Sequence, residues 1–482
     1  MATSQQSQFH DTSKGAPQIA FSSLTDLARG LQRKDFTSVE LTRLYLDRIT
    51  RLDGQLHAYV SVDAESALLQ AQAADLQRQA GMPCGALHGL PIALKDLCDI
   101  DGHITTGGSQ AWAGRTSTTT STVVERLLAA GMIILGKTHM VEFAFGAWGT
   151  NPVMGTPRNP WDLHTHHRAP GGSSSGSGVA VAGGLAPAAI GSDTGGSVRA
   201  PASFNGLTGL KTTAGLISLH GTIALSPAMD TNGPMTRTAD DAGLLLAAMA
   251  GADPRDPSTL QRPLFRLASV QAPSVRNLRI AVMRPAQYPW PVTPEVQAAT
   301  DEAVRVLRAL GAHVADVELP FDWGDYMRRV GTLIAIEAFH QHAHHIGDMH
   351  LPIGAWVRKR TISGGTFDAH AYQALLTHRR DAIAQFDHWM QSHDLLLTPT
   401  LPFVACPLSE IDEEVTPLGA FNRAVNYVNG CAISLPAGFS DNGLPIGIQL
   451  IGRAWQEGLL LQAGQAFQQA TDWHRRVPTG LE

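Results

Sequence analysis

Cysteine is scarce in this sequence, with four cysteines in 482 residues. They lie far apart and form no CxxC pair, at positions Cys84, Cys98, Cys406 and Cys431. This usage argues against a disulfide framework and against a cysteine zinc site. We therefore expect buried or free thiols in a reducing compartment.

Long apolar runs and excess positive charge are also missing. No segment approaches the roughly 18 apolar residues that a membrane-spanning helix needs. The polar start of the chain lacks the apolar core of a secretory signal. The net charge of −6 gives no basic footprint. These absences predict a cytoplasmic protein with no membrane partner and no nucleic-acid partner.

The length of 482 residues and the hydrophobic content of 44% are those of a globular chain with a large core. We expect residues 1–21 to be a disordered N-terminal segment and residues 22–482 to form one domain. No internal repeat and no clean domain boundary interrupt this range.

Helical and strand patterns alternate along the chain. Helical spacing covers residues 22–80, where Thr37 and Glu40 form a capping-box pattern. Further helices are predicted over 121–130, 179–185, 292–345 and 365–392. Short apolar strands are predicted around residues 90–95, 132–135, 188–190, 278–283, 395–397 and 446–450. Such alternation favours an α/β fold with a mainly parallel core.

The most informative segment lies at residues 171–201, where two glycine–serine clusters flank a small apolar run. The clusters are GGSSSGSG at 171–178 and GSDTGGS at 191–197. A flexible linker would be polar throughout. Glycines packed around serines suit a site where backbone N–H groups point into a pocket.

This stretch resembles the signature of the amidase signature family of serine hydrolases. The likeness covers roughly residues 22–477, in the order of the family. Further matching segments lie at residues 89–96, 136–143, 155–162, 206–212, 226–234 and 443–452. The resemblance implies a single large α/β/α domain, with a mixed, mainly parallel central sheet surrounded by helices. It also implies a homodimer.

By this resemblance, Ser197 is the nucleophile, Lys95 is the general base, and Ser173 carries protons between them. The family places a cis peptide before the bridging serine, which here is the Gly172–Ser173 bond. A lysine is a base only when it is neutral, which requires lowering its usual pKa of ~10.4 by burial or hydrogen bonding. Serine–lysine arrangements are a known variant of the catalytic triad.

The resemblance assigns the surrounding residues to supporting roles. The oxyanion hole would be formed by the backbone N–H groups of Thr194, Gly195, Gly196 and Ser197. The loops would be held by Ser174, Ser175, Asp193 and Arg199. Two aromatic residues, Phe145 and Trp148, line either the acyl pocket or the ordinary core.

Two further patterns invite other interpretations. Residues 131–138 match a phosphate-binding loop, but the intervening Met-Ile-Ile-Leu is strand-like, so we interpret the match as coincidental. The histidines between His340 and His350 lack a carboxylate or cysteine that completes a ligand pattern. We interpret them as one face of a helix. A second group, His164, His166 and His167, is predicted to lie in a turn before the signature loop. We expect no metal and no cofactor.

Three functions remain open at this point. The leading hypothesis is an amidohydrolase that cleaves the C–N bond of a small-molecule carboxamide, anilide or carbamate through a serine acyl-enzyme. A variant of it is a ring-opening or biuret-type hydrolase with a small partner subunit. The alternative is the glutaminase subunit of a tRNA-dependent amidotransferase. Such subunits usually carry an Asp-Gly-(Val/Ile)-Arg-Tyr-Gly segment, which residues 320–360 lack. The third is a binding protein built on an inactive hydrolase fold.

Overall fold

The computed structural model describes residues 16–481 and contains one large sheet. Its strands run in the order β1-β3-β2-β4-β6-β5-β10-β11-β9-β7-β8. The bounds are β1 Tyr59–Val62, β2 Pro91–Lys95, β3 Ile133–Thr138, β4 Ala189–Ser192, β5 Thr208–Lys211, β6 Asn232–Thr236, β7 Arg279–Met283, β8 His313–Val317, β9 Leu395–Pro399, β10 Cys431–Phe439 and β11 Pro445–Gly452. This sheet confirms the predicted α/β class.

Helices surround the sheet. Their bounds are α1 Ala16–Ala20, α2 Leu24–Arg33, α3 Ser38–Leu56, α4 Ala64–Gln79, α5 Thr122–Ala129, α6 Ser175–Ala182, α7 Arg199–Phe204, α8 Ala239–Met249, α9 Pro294–Ala309, α10 Trp323–Ile346, α11 Ala355–Gly364, α12 Ala369–Trp389, α13 Arg423–Tyr427 and α14 Glu457–Ala470. Helix α6 packs against β2, β3, β4 and β6, and α7 packs against β5, β10 and β11. Both helices are entirely buried.

The sheet is mixed, as expected, but it is less parallel than expected. Among the described strands, four pairings are parallel and six are antiparallel. The parallel pairs join β2 with β3 and β4, and β7 with β8 and β9. The strands between these groups are antiparallel, in part because a short turn joins β10 to β11 and so forces an antiparallel pair.

Two strands lie inside ranges that the sequence predicts as helical. These are β1, within residues 22–80, and β8, within residues 292–345, and they are the two edges of the sheet. Most of their residues are exposed or partly exposed. An edge strand therefore lacks the apolar run that identifies a buried one, and the helical patterns on either side dominate the sequence signal.

One local prediction is confirmed, and another differs from the structure where its residues are described. Thr37 and Glu40 make both hydrogen bonds of the capping box that begins α3. The predicted disordered segment 1–21 lies largely outside the described residues, and its last part contains α1. In the described part of the chain, no helix is long and apolar enough to span a membrane.

The sheet brings the two halves of the candidate site together. Strands β2 and β4 are parallel neighbours, with Ala93 opposite Ala189 and Leu94 opposite Ile190. Their carboxyl ends therefore lie side by side. Lys95 ends β2 and Ser192 ends β4, and the glycine–serine loops continue from this edge.

Candidate active site

Lys95 lies at the centre of the glycine–serine loops. Its side chain is fully buried. Its Nζ atom donates hydrogen bonds to Ser173 Oγ at 2.7 Å and to Ser192 Oγ at 2.8 Å. The amine is therefore held by two hydroxyl groups, one from each glycine–serine cluster.

Burial changes the chemistry of this amine. Removing the ammonium group from water disfavours its charged form. This desolvation lowers the pKa of Lys95 from 10.5 to about 7, although Cys98, Asp193 and Asp230 act in the opposite direction. A substantial fraction of Lys95 is therefore neutral near pH 7 and can accept a proton.

Ser173 accepts the hydrogen bond of Lys95, and the residue after it contacts the second cluster. The Gly172–Ser173 peptide bond is cis. The Ser173 carbonyl accepts a hydrogen bond from the Val141 amide at 3.0 Å. The next residue ties the loops together, because the Ser174 amide donates to the Ser197 carbonyl at 3.3 Å. The Ser174 contact brings the backbone of residue 174 to that of residue 197.

Ser174 also joins the first loop to the end of β4. Its hydroxyl donates to the Ser192 carbonyl at 3.3 Å and accepts from the Ser192 amide at 3.2 Å. Ser175, in contrast, has a buried hydroxyl without a hydrogen-bond partner among the described residues. Ser174 thus has the geometry of a loop-holding residue, and Ser175 does not.

Ser197 lines a pocket just before helix α7. The residue retains 9% exposure, and its loop neighbour Gly195 is partly exposed. Among residues 16–481, the backbone N–H groups of Thr194, Gly195 and Ser197 meet no acceptor. The Gly196 amide is engaged, because it donates to Asp193 Oδ1 at 2.8 Å. Three of the four amides predicted for an oxyanion hole are therefore available.

A buried ion pair supports this loop. Arg199 donates to both carboxylate oxygens of Asp193 at 3.0 Å, and both side chains are fully buried. Arg199 also donates to Gln449 and Asn426. Burial alone would raise the pKa of Asp193, but the charge and hydrogen bonds of Arg199 outweigh it and hold that pKa well below its usual range.

The two aromatic residues that the sequence places in either the pocket or the core lie in different parts of the structure. Phe145 lines the same pocket as Ser197. Trp148 does not, because it packs in a separate core cluster and stacks on Phe403 with ring centroids 6.0 Å apart. Its indole nitrogen donates to the Val415 carbonyl at 3.2 Å. Of the two roles considered for Trp148, the structure therefore supports the core role.

Three residues of the site escape the sequence analysis. Ser192 belongs to the recognised GSDTGGS cluster, and its place at the end of a strand parallel to β2 is the signal that identifies it. Arg360 and Arg423 line the pocket beside Ser197. No local motif marks these two arginines, because only the tertiary fold brings them to the pocket.

The other patterns lie in ordinary structural positions. The phosphate-loop match contains β3, and its Lys137 is buried and paired with Asp96 at 2.9 Å. In the histidine group, His342 is buried and stacks on Phe143 with centroids 4.6 Å apart. Within the described ranges, no group of three or more His, Cys, Asp or Glu residues could hold a metal ion.

The structure contains a large mixed sheet, with a buried lysine beside glycine–serine loops. Comparison with known proteins identifies the family that this chain belongs to. A family model described as Amidase matches residues 40–461. This chain is therefore a member of the amidase signature family of hydrolases, as its motifs predicted.

Two relatives and one solved structure illustrate the likeness. The chain is 39% identical to the A subunit of glutamyl-tRNA(Gln) amidotransferase from Chromohalobacter salexigens, covering 94% of this chain and 98% of that protein. It is 39% identical to the protein of the same name from Ralstonia nicotianae, covering 95% and 99%. The native peptide amidase of Stenotrophomonas maltophilia matches with a TM-score of 0.84 and 30% identity, covering 97% and 100%.

These relatives correct one expectation. The sequence analysis predicts no nucleic-acid partner, but relatives that match nearly end to end are named as subunits of an enzyme for glutamyl-tRNA(Gln). The prediction was therefore wrong. The reason is physical. The net charge is a sum over the whole chain, so its value does not exclude a subunit of an assembly that acts on tRNA.

Proposed function

We propose that this chain hydrolyses a carboxamide through an acyl-enzyme, with Ser197 as nucleophile, Ser173 as proton carrier and Lys95 as general base. The observation that carries the proposal is the 2.7 Å contact between Lys95 Nζ and Ser173 Oγ in a fully buried setting. A serine needs an adjacent base to become a strong nucleophile. A buried lysine with a pKa of about 7 meets this need near neutral pH.

The proposed reaction begins when neutral Lys95 accepts the hydroxyl proton of Ser173. Ser173 in turn takes the proton of Ser197, whose oxygen bonds to the amide carbon. The carbonyl oxygen becomes negatively charged and accepts hydrogen bonds from the free amides of Thr194, Gly195 and Ser197. Each such donor typically contributes ~10²–10³ in rate.

The second half of the reaction returns these protons. Lys95 gives its proton back to Ser173, which passes its own to the leaving nitrogen. The C–N bond breaks and ammonia leaves, with the acyl group bound to Ser197 as an ester. Water then attacks this ester by the same proton route, releasing the carboxylic acid and restoring the Ser197 hydroxyl.

Glutamine is the first candidate amide, with this chain acting as one component of a tRNA-dependent amidotransferase. The relatives support this assignment. Two proteins named as the A subunit of glutamyl-tRNA(Gln) amidotransferase are 39% identical to this chain over almost their whole length. The second candidate is an independent amidase of small carboxamides, anilides or carbamates. The absence of the Asp-Gly-(Val/Ile)-Arg-Tyr-Gly segment from residues 320–360 favours this second candidate.

Release of ammonia or amine from a panel of substrates tests both candidates. The panel contains glutamine, a C-terminal peptide amide, an aliphatic carboxamide, an anilide and a carbamate, each with and without glutamyl-tRNA(Gln). Turnover of glutamine that rises with the charged tRNA supports the amidotransferase component. Turnover of another amide without dependence on tRNA supports the independent amidase. Turnover that persists in Ser197→Ala contradicts the proposed mechanism.

A further inference from the structure

The pocket beside Ser197 is positively charged. Among the residues that the structure describes, its lining includes two arginines, Arg360 and Arg423, and no aspartate or glutamate. The remaining lining is apolar, small or hydroxyl-bearing, as in Phe145, Leu225 and Thr416. The charge of the pocket therefore depends on how each arginine is compensated by residues behind it.

Arg360 has its own partners. Its guanidinium forms an ion pair with Glu413 Oε2 at 2.7 Å and donates to the Phe145 carbonyl at 3.0 Å. It also contacts the Glu413 carbonyl. The charge of Arg360 is thus balanced within the protein, and this residue fastens the 413–416 segment to the pocket wall.

Arg423 differs from Arg360, because its guanidinium meets no hydrogen-bond acceptor and no carboxylate in the described part of the chain. The side chain crosses the loop that follows β4, since a Cβ atom added to Gly195 would lie 3.3 Å from Arg423 Cγ. A Cβ atom added to Gly331 of α10 would lie 3.7 Å from Arg423 Nη1. A Cβ atom added to Gly419 would lie 2.7 Å from Arg423 Nε. The aliphatic part of the side chain therefore lies beside Gly195, and the guanidinium lies between Gly419 and helix α10.

The surroundings disfavour this unpaired charge. Burial, and then the neighbouring charge of Arg360, lower the pKa of Arg423 to about 10. Guanidinium groups remain protonated in this range, so Arg423 keeps its charge at neutral pH. A half-buried cation without a partner is costly unless a ligand supplies the opposite charge.

We infer that Arg423 binds a carboxylate on the acyl side of the substrate, so that the pocket selects the monoamides of dicarboxylic acids. The inference rests on the proposed function, because it assumes that the amide carbonyl lies against Ser197. The planar guanidinium matches a carboxylate with two parallel hydrogen bonds. The lack of an acidic residue in the lining leaves no partner for a substrate ammonium group. Glutaramate therefore fits this pocket better than glutamine does, so the inference favours the second candidate of the proposed function, an independent amidase.

Binding of glutaramate to a Ser197→Ala chain tests the inference without requiring turnover. Isothermal titration would compare glutaramate with butyramide, which has the same amide and lacks the carboxylate. We expect glutaramate to bind on the order of tenfold more tightly, the difference that a charge-assisted hydrogen bond provides. In the Ser197→Ala background, Arg423→Gln should abolish this preference, and Arg423→Lys should retain part of it.

A matched control is available at Arg380. It is an exposed arginine of α12 that donates a hydrogen bond to Thr377. Arg380→Gln removes the same charge from the chain and should leave the preference unchanged. Equal binding of the two amides, no measurable binding of glutaramate, or a preference that survives Arg423→Gln would each overturn the inference.

Turnover by the unmodified chain separates this inference from the proposed function. Selective binding of glutaramate without ammonia release would retain the carboxylate site and reject the hydrolytic mechanism. Equal turnover of butyramide and glutaramate would retain the hydrolase and reject the carboxylate site. Faster turnover of glutaramate, lost in Arg423→Gln, would support both.

Discussion

Lys95 Nζ lies 2.7 Å from Ser173 Oγ, and both side chains are completely buried. The second partner of Lys95 is also a hydroxyl, that of Ser192. Lys137 on the adjacent strand β3 is buried too, but it is paired with the carboxylate of Asp96 at 2.9 Å. Lys95 and Lys137 therefore have partners of different chemistry, a hydroxyl group for Lys95 and a carboxylate for Lys137.

The pH dependence of turnover should follow the titration of Lys95. Neutral Lys95 is the form that accepts a proton, so kcat/KM for ammonia release should rise with pH, with a midpoint near the pKa of about 7. Above the midpoint the rate should level off. Lys95→Ala should lose about 10²–10⁴-fold in rate. A rate that falls as the pH rises from 6 to 8 would contradict the role of Lys95.

Ser192 should adjust the pKa of this base. Its hydroxyl accepts a hydrogen bond from Lys95 Nζ, and such a bond favours the charged form of the lysine. Ser192→Ala should therefore move the midpoint of the pH–rate profile to lower pH by about one unit. Ser175→Ala is the matched control, because its buried hydroxyl has no partner among the described residues. An unchanged midpoint in Ser192→Ala would exclude this effect.

Asp193 should stabilise the folded chain through its ion pair with Arg199. Asp193→Ala leaves Arg199 buried without its carboxylate and should lower the free energy of unfolding by about 3–5 kcal/mol. The stabilising effect of Asp193 is present above the unfolded carboxyl pKa of about 4. It is lost as the pH falls toward the depressed folded pKa.

Chemical denaturation of two variants measures this difference. Glu125 is the control, because it forms a partly exposed ion pair with Arg255. Glu125→Ala should cost roughly 1 kcal/mol or less. Equal losses in the two variants would show that the buried pair has no special structural role.

Gly196 should tolerate no side chain. Its φ is +117°, and a Cβ atom there would lie 2.6 Å from Asn422 Cβ. Gly196→Ala should displace the loop that carries the free amides and reduce turnover by about 10²-fold or more. Gly443→Ala is a matched control, since Gly443 also has a positive φ, of +75°, but has open space around it. Similar turnover in the two variants would contradict the role of this loop.

The sequence predicts the parts of this fold whose signal is local. The capping box at Thr37 and the buried strands β2, β3 and β4 can be located from their own residues. The edge strands β1 and β8 cannot, because exposed residues replace their apolar runs. The antiparallel centre of the sheet also escapes prediction, since strand direction depends on pairings between distant segments.

The candidate site also contains residues that the sequence identifies and residues that it does not. Lys95, Ser173 and Ser197 lie in short segments that resemble family motifs, so the sequence alone selects them. Arg423 lies 226 positions after Ser197 in the chain and shares no motif with it. Only the packing of α13 beside the glycine–serine loop brings it to the pocket, so a structure is needed to find it.

Identification of the residue that a fluorophosphonate labels is the decisive experiment for the nucleophile role of Ser197. We expect one adduct, found by peptide mass spectrometry on Ser197. The adduct should be absent in Ser197→Ala and form much more slowly in Lys95→Ala, while Ser175→Ala should react like the unmodified chain. A label on Ser173 or on a residue outside the loop, or undiminished ammonia release by Ser197→Ala, would contradict the assignment of Ser197 as the nucleophile.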